Sequence, residues 1–121
     1  MRVIRQSDVP KEDATNAPLF YGGEVSRQPI ISGGASTYYN FSIVNFAAGA
    51  KNHFHTHTSD QILFATSGKG IVASESEEIV MDEGDTAFIP AGEKHWHGAT
   101  DDSAFSHIAL THPDSTTEMF A

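Results

Sequence analysis

His53-Phe54-His55-Thr56-His57-Thr58-Ser59-Asp60-Gln61-Ile62-Leu63-Phe64 alternates imidazoles with other side chains at a period of two. In an extended strand successive side chains take opposite faces, so His55 and His57 point the same way. A second cluster, His95-Trp96-His97, repeats the arrangement, and the two clusters hold five of the chain's seven histidines. Imidazoles gathered on one face of a sheet make either a wet surface or a metal site. The residues around these clusters favour the metal.

Outward from the clusters, β-rich segments cover 38–46, 53–57, 61–66, 70–73, 77–81, 86–89, 95–98 and 104–111. Turn chemistry separates them: Ala48-Gly49-Ala50, Ser67-Gly68-Lys69-Gly70, Asp82-Glu83-Gly84-Asp85 and Pro90-Ala91-Gly92. No stretch keeps a capped 3.6-residue apolar period, so the pattern predicts an all-β sandwich or barrel. Residues 19–31, broken by Gly22-Gly23 and Pro29, read as one or two edge strands. Residues 1–17 read as a polar arm outside the core, 18–113 as the barrel and 114–121 as a polar tail. Glu75-Ser76-Glu77-Glu78 reads as a solvated hairpin.

The 121 residues suit one domain with one sizeable core. Cysteine is absent, so any site must use nitrogen and oxygen donors. The net charge is −9 and the seven Lys and Arg are scattered singly, which argues against nucleic acid as a partner. No apolar run approaches the roughly 20 residues of a membrane span, and no apolar leader follows Met1. These features predict a soluble, cytoplasmic protein acting on a small molecule, with no membrane partner.

The spacing is Gly49-x5-His55-x-His57-x3-Gln61-x6-Gly68, then Gly84-x5-Pro90-x-Gly92-x2-His95-x3-Ala99. This resembles the two motifs of the cupin superfamily and matches eight of their ten positions. The resemblance implies a double-stranded β-helix (jelly-roll) barrel with a metal bound by His55, His57, Gln61 and His95. Geometry makes the same grouping reasonable. Gln61 lies across a short turn from His57, and Pro90-Ala91-Gly92 turns the chain to deliver His95 from a neighbouring strand. Gln61 stands where most cupins carry Glu, which leaves a divalent site near +2 instead of about +1 and a stronger Lewis acid with a weaker hold on its ion. The alternative for Gln61 is an amide that only orients His57. Ala99 replaces the closing Asn of the second motif.

Three imidazoles and an amide oxygen suit Mn, Fe, Co, Ni or Zn, and the resemblance favours manganese or iron. A narrower likeness, over about residues 40–112, is to a subgroup of small cupins that includes manganese-dependent hydroxynitrile lyases. It implies that metal and protein cleave or form a cyanohydrin. His97, one pleat beyond His95, is the candidate base for the substrate hydroxyl, or else an imidazole that only hydrogen-bonds. His107, on the face of Phe105 and Ala109, is a second catalytic candidate or a core histidine. His53 and His112 read as outer or surface residues, and Phe41, Ile43, Phe46, Leu63, Phe64, Phe88 and Trp96 as core or cavity wall. An Fe(II) dioxygenase and a non-catalytic binding cupin are the competing readings. A homodimer is expected, with 19–31 as a plausible donated strand.

Overall fold

The computed structural model describes Met1–Phe120. After one 3-10 turn at Gln6–Asp8 the chain is built of strands. These are β1 (Glu12–Asp13), β2 (Phe20–Tyr21), β3 (Val25–Ile31), β4 (Asn40–Phe46), β5 (Lys51–Asn52) and β6 (His55–His57). They continue with β7 (Gln61–Ser74), β8 (Glu78–Asp82), β9 (Thr86–Ile89), β10 (His95–Ala99), β11 (Phe105–Thr111) and β12 (Thr117–Met119). All the pairings are antiparallel, as short hairpins and long return connections require. One sheet runs β1-β3-β4-β11-β7-β9, and the facing sheet gathers β2, β5, β10, β6, β12 and β8.

Strand β7 belongs to both sheets. Its first half pairs with β9 and β11, and its second half with β8 and β10. The sequence stretch 67–70 looked like a turn that ends one strand and starts another; here the strand bends and continues. Gly68 allows the bend, with φ +76 and a backbone so close to the Ala104 carbonyl that a Cβ would collide with it. Gly98 is similarly pressed against the backbone of Ala50 and Lys51. Together these approaches close the roll.

The core between the sheets contains Val25, Val44, Phe46, Leu63, Ala65, Met81, Ile89 and Phe105. Phe46 stacks on Phe105 at 6.3 Å centroid spacing and meets Phe20 edge to face at 6.0 Å. Two aromatics expected inside are outside: Phe64 is 40% and Phe88 61% exposed. Strand alternation explains it, because Leu63 and Ile89 face inward and their neighbours must then face out. Phe41 and Trp96 are half-buried, and Ile43 is buried.

Both chain ends are more integrated than an arm and a tail. β1 pairs with β3, Ala14 is buried in the core, and the Gln28 amide donates to the Gln6 and Val9 carbonyls. At the other end β12 pairs with β6, the strand that carries His55 and His57. Residues 19–31 pair within their own chain, β2 with β5 and β3 with β4. The Glu75–Glu78 stretch is an exposed hairpin, closed by Ser74 N–H donating to the Glu77 carbonyl. Among the described residues no helix is long and apolar enough to cross a membrane.

Candidate metal centre

One end of the roll encloses a cavity of about 270 Å³. Asn52, His55, His57, Gln61, His97 and His107 all line it, brought in by β5, β6, β7, β10 and β11. His95 reaches the same centre, since β10 sets it directly opposite His55 and their rings lie 4.3 Å apart. The turn that delivers it is anchored to β6: Gly92 N–H donates to the His57 carbonyl, and Ala91 N–H donates to Asp60. Gly92, with φ +82, completes the reversal.

Hydrogen bonds decide which ring nitrogen faces the centre. His55 Nδ1 lies 2.7 Å from the His53 carbonyl, and His95 Nδ1 lies 2.8 Å from the Glu93 carbonyl. A carbonyl only accepts, so both rings carry their proton on Nδ1 and present an unprotonated Nε2 to the cavity. His57 Nδ1 is 2.9 Å from the Thr117 hydroxyl, and its buried Nε2 has no hydrogen-bond partner. An orphaned, inward-facing imidazole nitrogen needs something to bind.

Gln61 adds an oxygen. Its Oε1 lies 3.2 Å from His95 Nε2, and its amide also lies against His57. Two acceptors at that distance are satisfied either by a shared cation or by an amide turned to donate its NH₂. Two donors roughly 2.1 Å from one ion, at right angles, stand about 3.0 Å apart, so the spacing suits a first-row metal.

His97 is held differently. By spacing alone His55, His95 and His97 make the tightest histidine trio, each offering a nitrogen within 4.8 Å of the others. Yet both His97 nitrogens are engaged. Asn52 Oδ1 accepts the His97 backbone N–H at 2.8 Å, which turns the Asn52 NH₂ toward His97 Nε2 at 3.2 Å. Nε2 must therefore accept, and the ring proton sits on Nδ1, where it donates to His107 Nε2 at 3.1 Å. His107 in turn keeps its proton on a buried, unpartnered Nδ1. A bulge in the β7–β11 pairing at Ser106/His107 aims that side chain inward.

Burial keeps these imidazoles neutral. His55, His57 and His107 are each pushed down to about 4, His95 is lowered, and His97 falls well below the ordinary value. Desolvation is the main cause in every case. Neutral rings are the form that binds metal, so at neutral pH no protons compete. The three-histidine cluster is thus chemically ready for a divalent ion.

Two histidines stand apart. His53 stacks on Tyr21 at 4.5 Å, outside the centre, and His112 is half-buried beside Asp114. Sequence reading did not single out Asn52, Thr117 or Arg27, all of which line the cavity. For Asn52 a signal existed: an amide three residues before a His-x-His pair, in a strand-forming stretch. Thr117 had none, because its role depends on β12 folding back over β6.

A family model described as a cupin domain matches residues 42–111. Over 94 residues the chain is 38% identical to an (R)-mandelonitrile lyase of Granulicella tundricola, covering 77% of this chain and 63% of that protein. Over 71 residues it is 30% identical to an acireductone dioxygenase of Stutzerimonas stutzeri, covering 54% of this chain and 39% of the relative. The chain therefore spans less than two thirds of the length of either curated relative. A crystal structure of a cupin-like protein from Thermotoga maritima superposes with a TM-score of 0.83 at 24% identity, covering 100% of this chain and 90% of that one. That likeness carries the jelly-roll fold.

Proposed function

Because the chain belongs to the cupin family, we propose that it is a metal-dependent lyase that cleaves or forms a cyanohydrin-like bond in a small organic substrate. The observation that carries the reading is the convergence of three unpartnered or outward-bonded imidazoles and the Gln61 oxygen on one cavity. The 38% identity to a mandelonitrile lyase supports the reaction class. His55, His57, Gln61 and His95 are the proposed ligands, and manganese is the proposed ion, with iron, zinc, nickel or cobalt able to occupy the same donors. The ion supplies Lewis acidity that lowers the pKa of a substrate hydroxyl.

The chain's own residues do the rest. His97 Nε2 accepts the Asn52 NH₂ at 3.2 Å, and the substrate hydroxyl takes over that lone pair by displacing the amide. His97 takes the hydroxyl proton on Nε2. The C–O bond becomes C=O, the bond to the nitrile carbon breaks, and its electron pair leaves as cyanide. His97 then returns the proton to give hydrogen cyanide. While His97 is charged, its Nδ1–H still donates to His107 Nε2, which stabilises the cation inside an otherwise dry wall.

The test is cyanide release from (R)-mandelonitrile by manganese-loaded protein, under argon and with EDTA. Release that survives argon and stops with EDTA is expected; no release under any metal refutes the lyase reading. The likeness to a dioxygenase gives a second reading, an Fe(II) oxygenase, which metal-dependent oxygen uptake would reveal.

A further inference from the structure

We infer that the substrate of this cavity carries a carboxylate and that Arg27 binds it. The inference rests on the reading of the histidine centre as a substrate site and adds the substrate's charge. On β3 Arg27 shares the face of core Val25 but is solvent-exposed, at the rim of the cavity, whereas Gln28 on the opposite face is buried against the N-terminal segment, to which it bonds. Arg27 stands opposite Val44, and Val44 stands opposite His107, so the three form one row on the same face across β3, β4 and β11, buried at Val44 and His107 and open to solvent at Arg27. With strands about 4.8 Å apart, the Arg27 and His107 backbones lie about 10 Å from each other. Arg27, exposed to solvent, lines the rim of the cavity that His107 lines from within.

The charge distribution is what gives this position meaning. The chain has sixteen Asp and Glu against seven Lys and Arg. Among the described residues none of those carboxylates lines the cavity, and Arg27 is its one cation. Lys51, Lys69 and Lys94 each sit within 4.0 Å of an acidic side chain, at 3.0, 3.7 and 3.7 Å. Arg27 has no such ion pair among the described residues, although Glu12 stands across from it on β1. Random placement in so acidic a chain would more readily put a carboxylate in the cavity than a lone guanidinium.

A guanidinium presents a planar fork of N–H donors that fits the two oxygens of a carboxylate. Ser42 and Thr111 also line the cavity and offer hydroxyls to a polar substrate, while Leu19 and Phe20 give it an apolar side. One cation with no cluster of backbone donors fits a monoanion better than a phosphate dianion. The ligand is then a short molecule with a carboxylate at one end, on Arg27, and its reacting hydroxyl at the other, among the histidines.

The experiment uses two matched probe pairs with manganese-loaded full-length chain and calorimetric titration. The pairs are 4-(hydroxymethyl)benzoate with 4-(hydroxymethyl)benzamide, and 4-hydroxybutyrate with 4-hydroxybutyramide. A charge-assisted bond predicts that at least one acid binds about ten-fold or more tightly than its amide. In Arg27→Gln the preference falls to within about two-fold, Arg27→Lys recovers part of it, and Glu12→Gln keeps or enlarges it. A preference that survives Arg27→Gln means the carboxylate sits elsewhere and overturns the assignment. So does equal binding of acid and amide, or no binding of either pair. Cyanide release from mandelonitrile is assayed on the same preparations. Loss of that activity with an Arg27-dependent acid preference sinks the lyase reading alone, and the converse sinks this one alone.

Discussion

Replacing Asn52 with Leu tests how the cavity wall is held. Asn52 is 2% exposed and makes two bonds to one residue, accepting His97 N–H at 2.8 Å and donating to His97 Nε2 at 3.2 Å. Leucine keeps the branched outline but removes both bonds, leaving a buried donor and a buried acceptor unpaired. Each such group costs about 1–3 kcal/mol. Leucine's added apolar burial offsets roughly 1–2 kcal/mol of that, so the expected net loss is about 2 kcal/mol. With an m-value of roughly 1.5 kcal/mol/M, the urea midpoint of the metal-free protein should fall by a little over 1 M. Nitrogen-correlated NMR of the imidazoles gives a second readout. The native His97 should show its proton on Nδ1, and the variant a mixture of tautomers. A midpoint shift under about 0.3 M with an unchanged tautomer would refute the claim that Asn52 sets His97.

Three further outcomes follow from the same geometry. Thr117→Val removes the hydroxyl that holds His57 Nδ1 and should weaken manganese binding about ten-fold with the fold intact; an unchanged Kd in a metal titration removes the C-terminal strand from the site. Metal-free protein should lose stability as pH falls from about 6.5 to about 4, because the unfolded chain binds protons on histidines that the fold keeps neutral. Fully buried His107 alone should contribute on the order of 3 kcal/mol across that window, and urea midpoints that stay flat over it contradict the assignment. Gly68→Ala forces a side chain at φ +76 against the Ala104 carbonyl, so a loss of at least about 2 kcal/mol is expected in thermal unfolding.

Much of this architecture could be read from residue order. The glycines, the proline turn and the alternating histidines are local features, and local features survive in sequence. Period-two alternation put His95 with His97 and His107 with Phe105 and Ala109; the structure brings His97, His107 and Ala109 to one cavity, sets His95 against Gln61 beside it, and packs Phe105 in the core. What escaped depends on contacts distant in the chain. Whether β7 ends or bends at Gly68 is decided by the Ala104 backbone, thirty-odd residues on. Phe64 and Phe88 read as core because aromatics usually are, but their inward neighbours had already fixed the faces. Ala14 is buried because β1 found the edge of β3, and polar flanking residues concealed that. The grip on His97 by Asn52 and on His57 by Thr117 spans 45 and 60 residues, beyond any short motif.

The ligand set is tested most directly by manganese stoichiometry, measured by electron paramagnetic resonance, in His57→Phe and His97→Phe side by side. Binding through His55, His57, Gln61 and His95 predicts that His97→Phe still takes up one ion per chain while His57→Phe takes up little. The reverse result would move the metal to the His55, His95 and His97 trio and leave the proposed base without a proton to take.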